Sequence, residues 1–150
     1  MTNKLPTRTP SLVKADYEQL AELRYLLRHF LRFSENAAED AGLTAQQHQA
    51  LLAIKGFSTR EPITVGELAE RLCIRHHSAV ELVDRLAQAG LVERLHDPSD
   101  RRRVRLRLTD AAEQHLAELS TIHLDELRRL RPALLQILER TSDEPSAGRG

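Results

Sequence analysis

Residues 64 to 109 switch from helical to strand periodicity within one short run, TVGELAERLCIRHHSAVELVDRLAQAGLVERLHDPSDRRRVRLRLT. Thr64-x-x-Glu67 is a capping-box pattern, and it opens a helix through Leu68, Ala69 and Leu72. Cys73-Ile74-Arg75 makes a tight turn. A second helix runs from about His76 to Ala89, and Gly90 stops it. The pattern then becomes period two, over Leu91 to His96 and Arg103 to Leu108. In the second strand Val104, Leu106 and Leu108 point one way and Arg103, Arg105 and Arg107 the other. Asp97-Pro98-Ser99-Asp100 is read as the hairpin turn, with proline preset at its second position.

Placed at 100° per residue, Ala79, Leu82, Val83 and Leu86 share one face of the second helix. His77, Glu81, Asp84 and Gln88 lie opposite, with His76, Val80 and Arg85 on the margins. From Leu91 to Leu108, six arginines (Arg94, Arg101, Arg102, Arg103, Arg105, Arg107) face three acids (Glu93, Asp97, Asp100). A helix pair followed by a basic hairpin fits a winged helix-turn-helix. The second helix would enter the DNA major groove, and the hairpin would reach the backbone or the minor groove. A solvated charged loop is the plainer reading of the arginines. The formal net charge of zero does not exclude nucleic acid, because a local basic patch supplies phosphate affinity.

Two long segments flank this device. Ser11 can cap a first helix reaching about Ala41, with Val13, Tyr17, Leu20, Leu23, Leu27, Phe30 and Leu31 near helical spacing and Gly42 as its stop. Thr44-x-x-Gln47 opens a further helix that ends at Gly56, and Glu61-Pro62-Ile63 reads as a short extended link. Thr109 caps a long helix along Leu116, Leu119, His123, Leu127 and Leu130. Pro132 suits a first helical turn, so a separate last helix is expected from about Pro132 to Arg140. The fold class is thus mainly α, a winged helix-turn-helix with long N- and C-terminal dimerisation helices. The expected division is a disordered arm over 1–10, a single domain over 11–141 and a disordered tail over 142–150. Within the domain, the dimerisation helices span about 11–41 and 109–140, and the winged-helix region about 44–108. The end helices carry more apolar surface than one small reader buries, which a homodimer explains; an intramolecular helical layer is the alternative.

Other classes are poorly served. No apolar run is long enough to span a membrane, the first residues lack an apolar signal core, and one cysteine excludes an internal disulfide, which together suggest the cytoplasm. No nucleophile–base set or phosphate loop suggests an enzyme, and no cofactor is expected. His76 and His77 project 100° apart, and His115 and His123 lack ligand spacing, so no metal site is expected. Cys73 is expected to be buried and inert between the helices.

Here the chain resembles the MarR (multiple antibiotic resistance regulator) family over roughly residues 12 to 140. The resemblance is carried by Gly90-Leu91-Val92-Glu93-Arg94, then Asp97-Pro98-x-Asp100-Arg101-Arg102, then Leu108-Thr109. The family's wing signature is an Asp-x-Arg with Leu-Thr six residues beyond the arginine. Leu-Ala-Glu-Arg-Leu before the turn and Leu-Val-Asp-Arg-Leu in the second helix also match. The resemblance implies a homodimeric regulator of transcription, often a repressor, on a palindromic operator in double-stranded DNA. It further implies that small anionic or phenolic ligands, or oxidants, release the DNA. Val80 and Glu81 depart from the family's usual Ser or Thr and Arg, and Arg75 with His76-His77 stands where small polar residues are usual, so no operator sequence carries over.

The resulting DNA-facing set is Arg75, His76, His77, Ser78, Val80, Glu81 and Arg85 on the helix, with Arg101, Arg102 and Arg103 on the wing. Glu81 could accept from cytosine N4, and Val80 could pack on a thymine methyl. Asp100 or another carboxylate could hold Arg102. Ordinary helix-surface residues, or a Glu81–Arg85 pair, are the alternative. The resemblance makes Tyr25, His29 and Phe33 candidates for a ligand cleft, with ordinary packing as the competing account. A winged-helix protein-interaction module, or a thiol- or metal-responsive regulator of the same fold, are the rival functions.

Overall fold

The computed structural model describes residues 11–141; the expected arm and tail lie outside them. Seven elements follow in order: α1 Lys14–Asp40, α2 Ala45–Lys55, α3 Val65–Arg71, α4 His76–Gln88, β1 Val92–His96, β2 Val104–Leu108 and α5 Asp110–Thr141. The fold is mainly helical, with one two-stranded antiparallel sheet. The chain divides into two compact units. One is residues 32–125; the described parts of the other are 11–31 and 126–141.

In the larger unit, helix ends are set by local chemistry. Both capping boxes form: Thr44 with Gln47 opens α2, and Thr64 with Glu67 opens α3. Three helices end in the same left-handed motif. Gly42 and Gly90 take positive φ, and in each case two backbone N–H groups turn back onto the last helical carbonyls: Gly42 to Glu39 and Leu43 to Ala38, Gly90 to Ala87 and Leu91 to Leu86. The third is at Cys73, with Cys73 bonded to Glu70 and Ile74 to Ala69.

The core lies in this unit. Leu51, Ile63, Leu68, Leu82, Leu86 and Leu106 are essentially inaccessible, with Ala38, Ala112, Leu116 and Leu119 around them. Each such leucine contributes about 1.5–3 kcal/mol through burial. The expected inward face of α4 is the observed one, since Ala79, Leu82, Val83 and Leu86 are all buried. β1 and β2 pair from Val92↔Leu108 to His96↔Val104. The Glu61–Ile63 link runs beside β2 and meets it through Leu106 N–H to the Ile63 carbonyl and a bridge between Thr64 and Arg105. Thr109 starts α5 by accepting from Ala112 N–H, and its hydroxyl donates to the Gly90 carbonyl at 2.6 Å, tying the end of α4 to the start of α5.

In the smaller unit Leu26 and Ile137 are buried. Val13 just before α1, Tyr17, Leu20, Leu27 and Leu31 of α1, and Leu127 and Leu135 of α5, are exposed.

Four expectations need correction. The first helix opens at Lys14 and not after a Ser11 cap; the Asp16 carboxylate accepts from Val13 N–H instead. Pro132 begins no new helix but lies inside α5. Proline removes one i→i−4 bond and costs about 3 kcal/mol in a helix interior. Leu130, Leu134 and Ile137 keep helical spacing across it, and all three are at least partly buried. The hairpin's hydrogen-bonded turn is Asp100–Arg103, closed by Arg103 N–H to the Asp100 carbonyl, and Pro98-Ser99 is only a bend before it. Arg105, assigned to the solvated side, is half-buried.

Candidate nucleic-acid interface

α4 presents a polar outer face. His76, His77, Val80, Glu81, Asp84 and Arg85 are exposed and Ser78 is half-buried. The helix opens at Arg75, whose backbone is extended and whose side chain makes no cap. Its first-turn N–H groups therefore suit an acceptor such as phosphate. Asp84 does not read outward: it is hydrogen-bonded to Arg94 of β1, which couples the helix to the wing. Glu81 has Arg85 at 3.9 Å, with both side chains more than half exposed, so the pair contributes little.

The wing is built by two aspartates. Asp97 is 5% exposed. Its Oδ1 accepts from Ser99 N–H at 2.9 Å and from the Ser99 hydroxyl at 2.6 Å, and its Oδ2 accepts from Arg105 at 3.1 Å. Ser99 first, and then Arg105, hold the Asp97 carboxyl at about 2, below its ordinary value of 3.8. Asp100 accepts from Arg102 N–H at 2.9 Å and has Arg103 Nε at 3.9 Å. So Asp100 holds the backbone of Arg102 and not its guanidinium. Among the described residues, no carboxylate pairs with the side chains of Arg101 or Arg102, and both are exposed. Arg107 is neutralised by Glu93 across the strands at 2.6 Å.

A groove of about 330 Å³ lies between α4 and the wing. It is lined by Thr64, His76, Val80, Arg94, Arg102 and Arg103 among others. It thus joins two of the expected helix residues to two of the expected wing residues. His77, Glu81, Arg75 and Arg85 are not in its lining.

Cys73 is not buried. It is exposed, with φ of 54°, because it occupies the left-handed position that closes α3. Tyr25 packs edge-on against His29 with ring centroids 4.7 Å apart, in the smaller unit. Phe33 belongs to the larger unit and packs against His123 at 5.4 Å.

Sequence reasoning missed the structural weight of Asp97, Arg105 and Asp84. For Asp97 a signal was present, since an aspartate two residues before a serine is an Asx-turn pattern. Strict strand alternation hid Arg105.

A paired helix reader with a basic hairpin beside its exposed helix defines a winged helix-turn-helix of the DNA-binding class. The MarR family model matches residues 41–103. The HTH-type transcriptional repressor MdtR of Bacillus subtilis is 32% identical over 81 residues, covering 54% of this chain and 50% of that protein. The crystal structure of AbsC, a MarR family transcriptional regulator from Streptomyces coelicolor, superposes with a TM-score of 0.71 at 19% identity, covering 90% of this chain and 94% of that one. A mutant MarR from E. coli, solved with operator DNA, superposes at 0.62 and 21% identity, covering 89% and 99%. Over residues 41–103 the chain is therefore similar to the MarR family of transcription regulators, and it shares the fold of that family's solved members. No described helix is long and apolar enough to cross a membrane.

Proposed function

We propose that the chain acts in the cytoplasm as a homodimeric repressor that holds a palindromic operator with α4 in the major groove and the wing on the flanking backbone or minor groove. The observation that carries this reading is the pair of exposed wing arginines, Arg101 and Arg102, beside a recognition helix with a polar outer face. Arginines without carboxylate partners are the donors phosphates recruit. Two further points support it. α1 and α5 carry exposed leucines that a second copy would cover, and relatives of the family include a named repressor and a regulator solved with operator DNA. Release by a small aromatic or anionic molecule is the family's usual control and rests on that kinship alone.

Sedimentation and a gel shift of genomic fragments across a salt series test the proposal. The expected result is a dimer at micromolar concentration whose affinity falls steeply with salt, on a site with half-sites about 34 Å apart. A monomer, or a protein that leaves DNA unshifted at low salt and captures a protein instead, overturns it.

A further inference from the structure

We propose that Arg105 is a positioning residue for DNA binding, a clamp that fixes the wing tip to the body of the reader without itself contacting DNA. The inference rests on the DNA-binding reading above. Three donors of one guanidinium are committed inside the protein. Nε and Nη2 both reach Asp97 Oδ2 at 3.1 Å, and Nη1 donates to the Pro62 carbonyl at 2.6 Å. The side chain is only 14% exposed, whereas its strand neighbours Arg103 and Arg107 are each 62% exposed. Glu61 adds a carboxylate at 3.9 Å.

What Arg105 holds matters as much as how. Asp97 divides its two oxygens, one for Arg105 and one for Ser99, so the same carboxylate both anchors and shapes the loop. Asp97 N–H donates to the Arg103 carbonyl at 3.3 Å, which closes the loop carrying Arg101 and Arg102. On the other side, Pro62 sits in the link whose neighbour Ile63 is fully buried and bonded to Leu106. The connection runs from the core, through Pro62 and Arg105, to Asp97 and then to the tip. A long hairpin loop with two unpartnered arginines would otherwise sample many orientations, and ordering it on DNA would cost affinity.

Binding to fluorescein-labelled random-sequence duplex DNA tests this with a double-mutant cycle in the full chain. Arg105→Met removes the donors and keeps the stem. It should weaken binding about tenfold, comparable to one missing charge-assisted hydrogen bond, and flatten the salt slope by about 0.9 for each phosphate that is no longer neutralised. Arg102→Ala should cost about as much in the native background but almost nothing in Arg105→Met, because the tip is already misplaced. Additive effects would mean that Arg105 touches DNA directly, and an unchanged affinity would mean that the clamp has no role; either overturns the proposal. Should Arg105→Met fail to fold, Arg105→Lys keeps charge and stem without the fork and enters the same cycle. Should the native chain bind no DNA, the functional reading fails, and amide exchange decides the clamp alone. The N–H groups of Ser99 and Arg102, both held by aspartate oxygens, should exchange faster in the Arg105 variant, and equal rates reject it.

Discussion

The imidazole of His48 packs against that of His123 with ring centroids 4.7 Å apart, joining α2 to α5 inside the larger unit. His123 Nδ1 lies 2.6 Å from the Leu119 carbonyl, which can only accept, so that nitrogen carries the proton. Its Nε2 then accepts from the Ser34 hydroxyl at 2.8 Å when the ring is neutral. His48 is 3% exposed, and its buried Nδ1 has no hydrogen-bond partner among the described residues. Burial first, and then His123, push the His48 pKa below its ordinary 6.5.

This arrangement makes stability pH-dependent. The unfolded chain takes up a proton near pH 6.5, while the folded chain resists it. Stability is therefore full above that pH and falls as the pH drops below it, towards the lower folded value. Melting temperature should be flat between about pH 7 and 8 and decline below about 6.5. His48→Leu should lessen that decline. Identical profiles for both proteins would show that His48 does not titrate with folding.

Asp97 gives a second limb at lower pH. Its folded pKa of about 2 lies below 3.8 in the unfolded chain, so its contribution is complete above about pH 4 and is lost as the pH falls through about 2. Asp97→Asn should be less stable than the native chain at neutral pH, and the gap should narrow below pH 4. A gap of constant size across a melting series in acid would mean that the carboxylate's charge does not matter.

Cys73 stands where the backbone favours glycine. A non-glycine residue in the left-handed region costs about 1–2 kcal/mol, and glycine returns part of that as unfolded-state entropy. Cys73→Gly should raise stability by about 0.5–1 kcal/mol in urea, and Cys73→Ala should change it little. A thiol reagent should label Cys73 in the native chain at a rate near that of a free thiol. Slow labelling would restore the expectation that it is buried.

Most of the DNA reader was legible in the sequence because its signals are local. Capping pairs, Gly42 and Gly90, and the apolar stripe of α4 each depend on residues within one or two turns. What was missed depends on tertiary structure. Arg105 follows the alternation of a solvated strand face until the Glu61–Ile63 link folds against β2 and supplies a carbonyl. Cys73 resembles an ordinary small packing residue until the closing geometry of α3 turns its side chain outward. Pro132 carries a strong local stop signal, and the apolar spacing on either side of it outweighs that signal. At the interface, His76 and Val80 line one groove with Arg102 and Arg103, and nothing local revealed that Asp84 is held by Arg94.

The last prediction separates positioning from reading. Arg101 and Arg102 are exposed cations at a turn, so they should meet phosphate or the minor groove. Replacing both with Ala should weaken binding to every sequence and flatten the salt dependence by about 0.9 in log–log slope for each phosphate left without its arginine. Glu81 should behave differently. A carboxylate gains nothing from phosphate, and its only neighbouring cation among the described residues, Arg85 at 3.9 Å, is too exposed to hold it. It can accept from a cytosine amino group in the major groove. Glu81→Gln should then leave the salt slope unchanged or steeper, yet alter preference at one base pair in each half-site by about 1–3 kcal/mol. Affinity against salt, measured for the native chain and both variants on a selected site and its single-base changes, tests the distinction. If Glu81→Gln shifts affinity equally on all sequences, Glu81 acts only by repulsion or helix structure, and base recognition falls to the other exposed residues of α4.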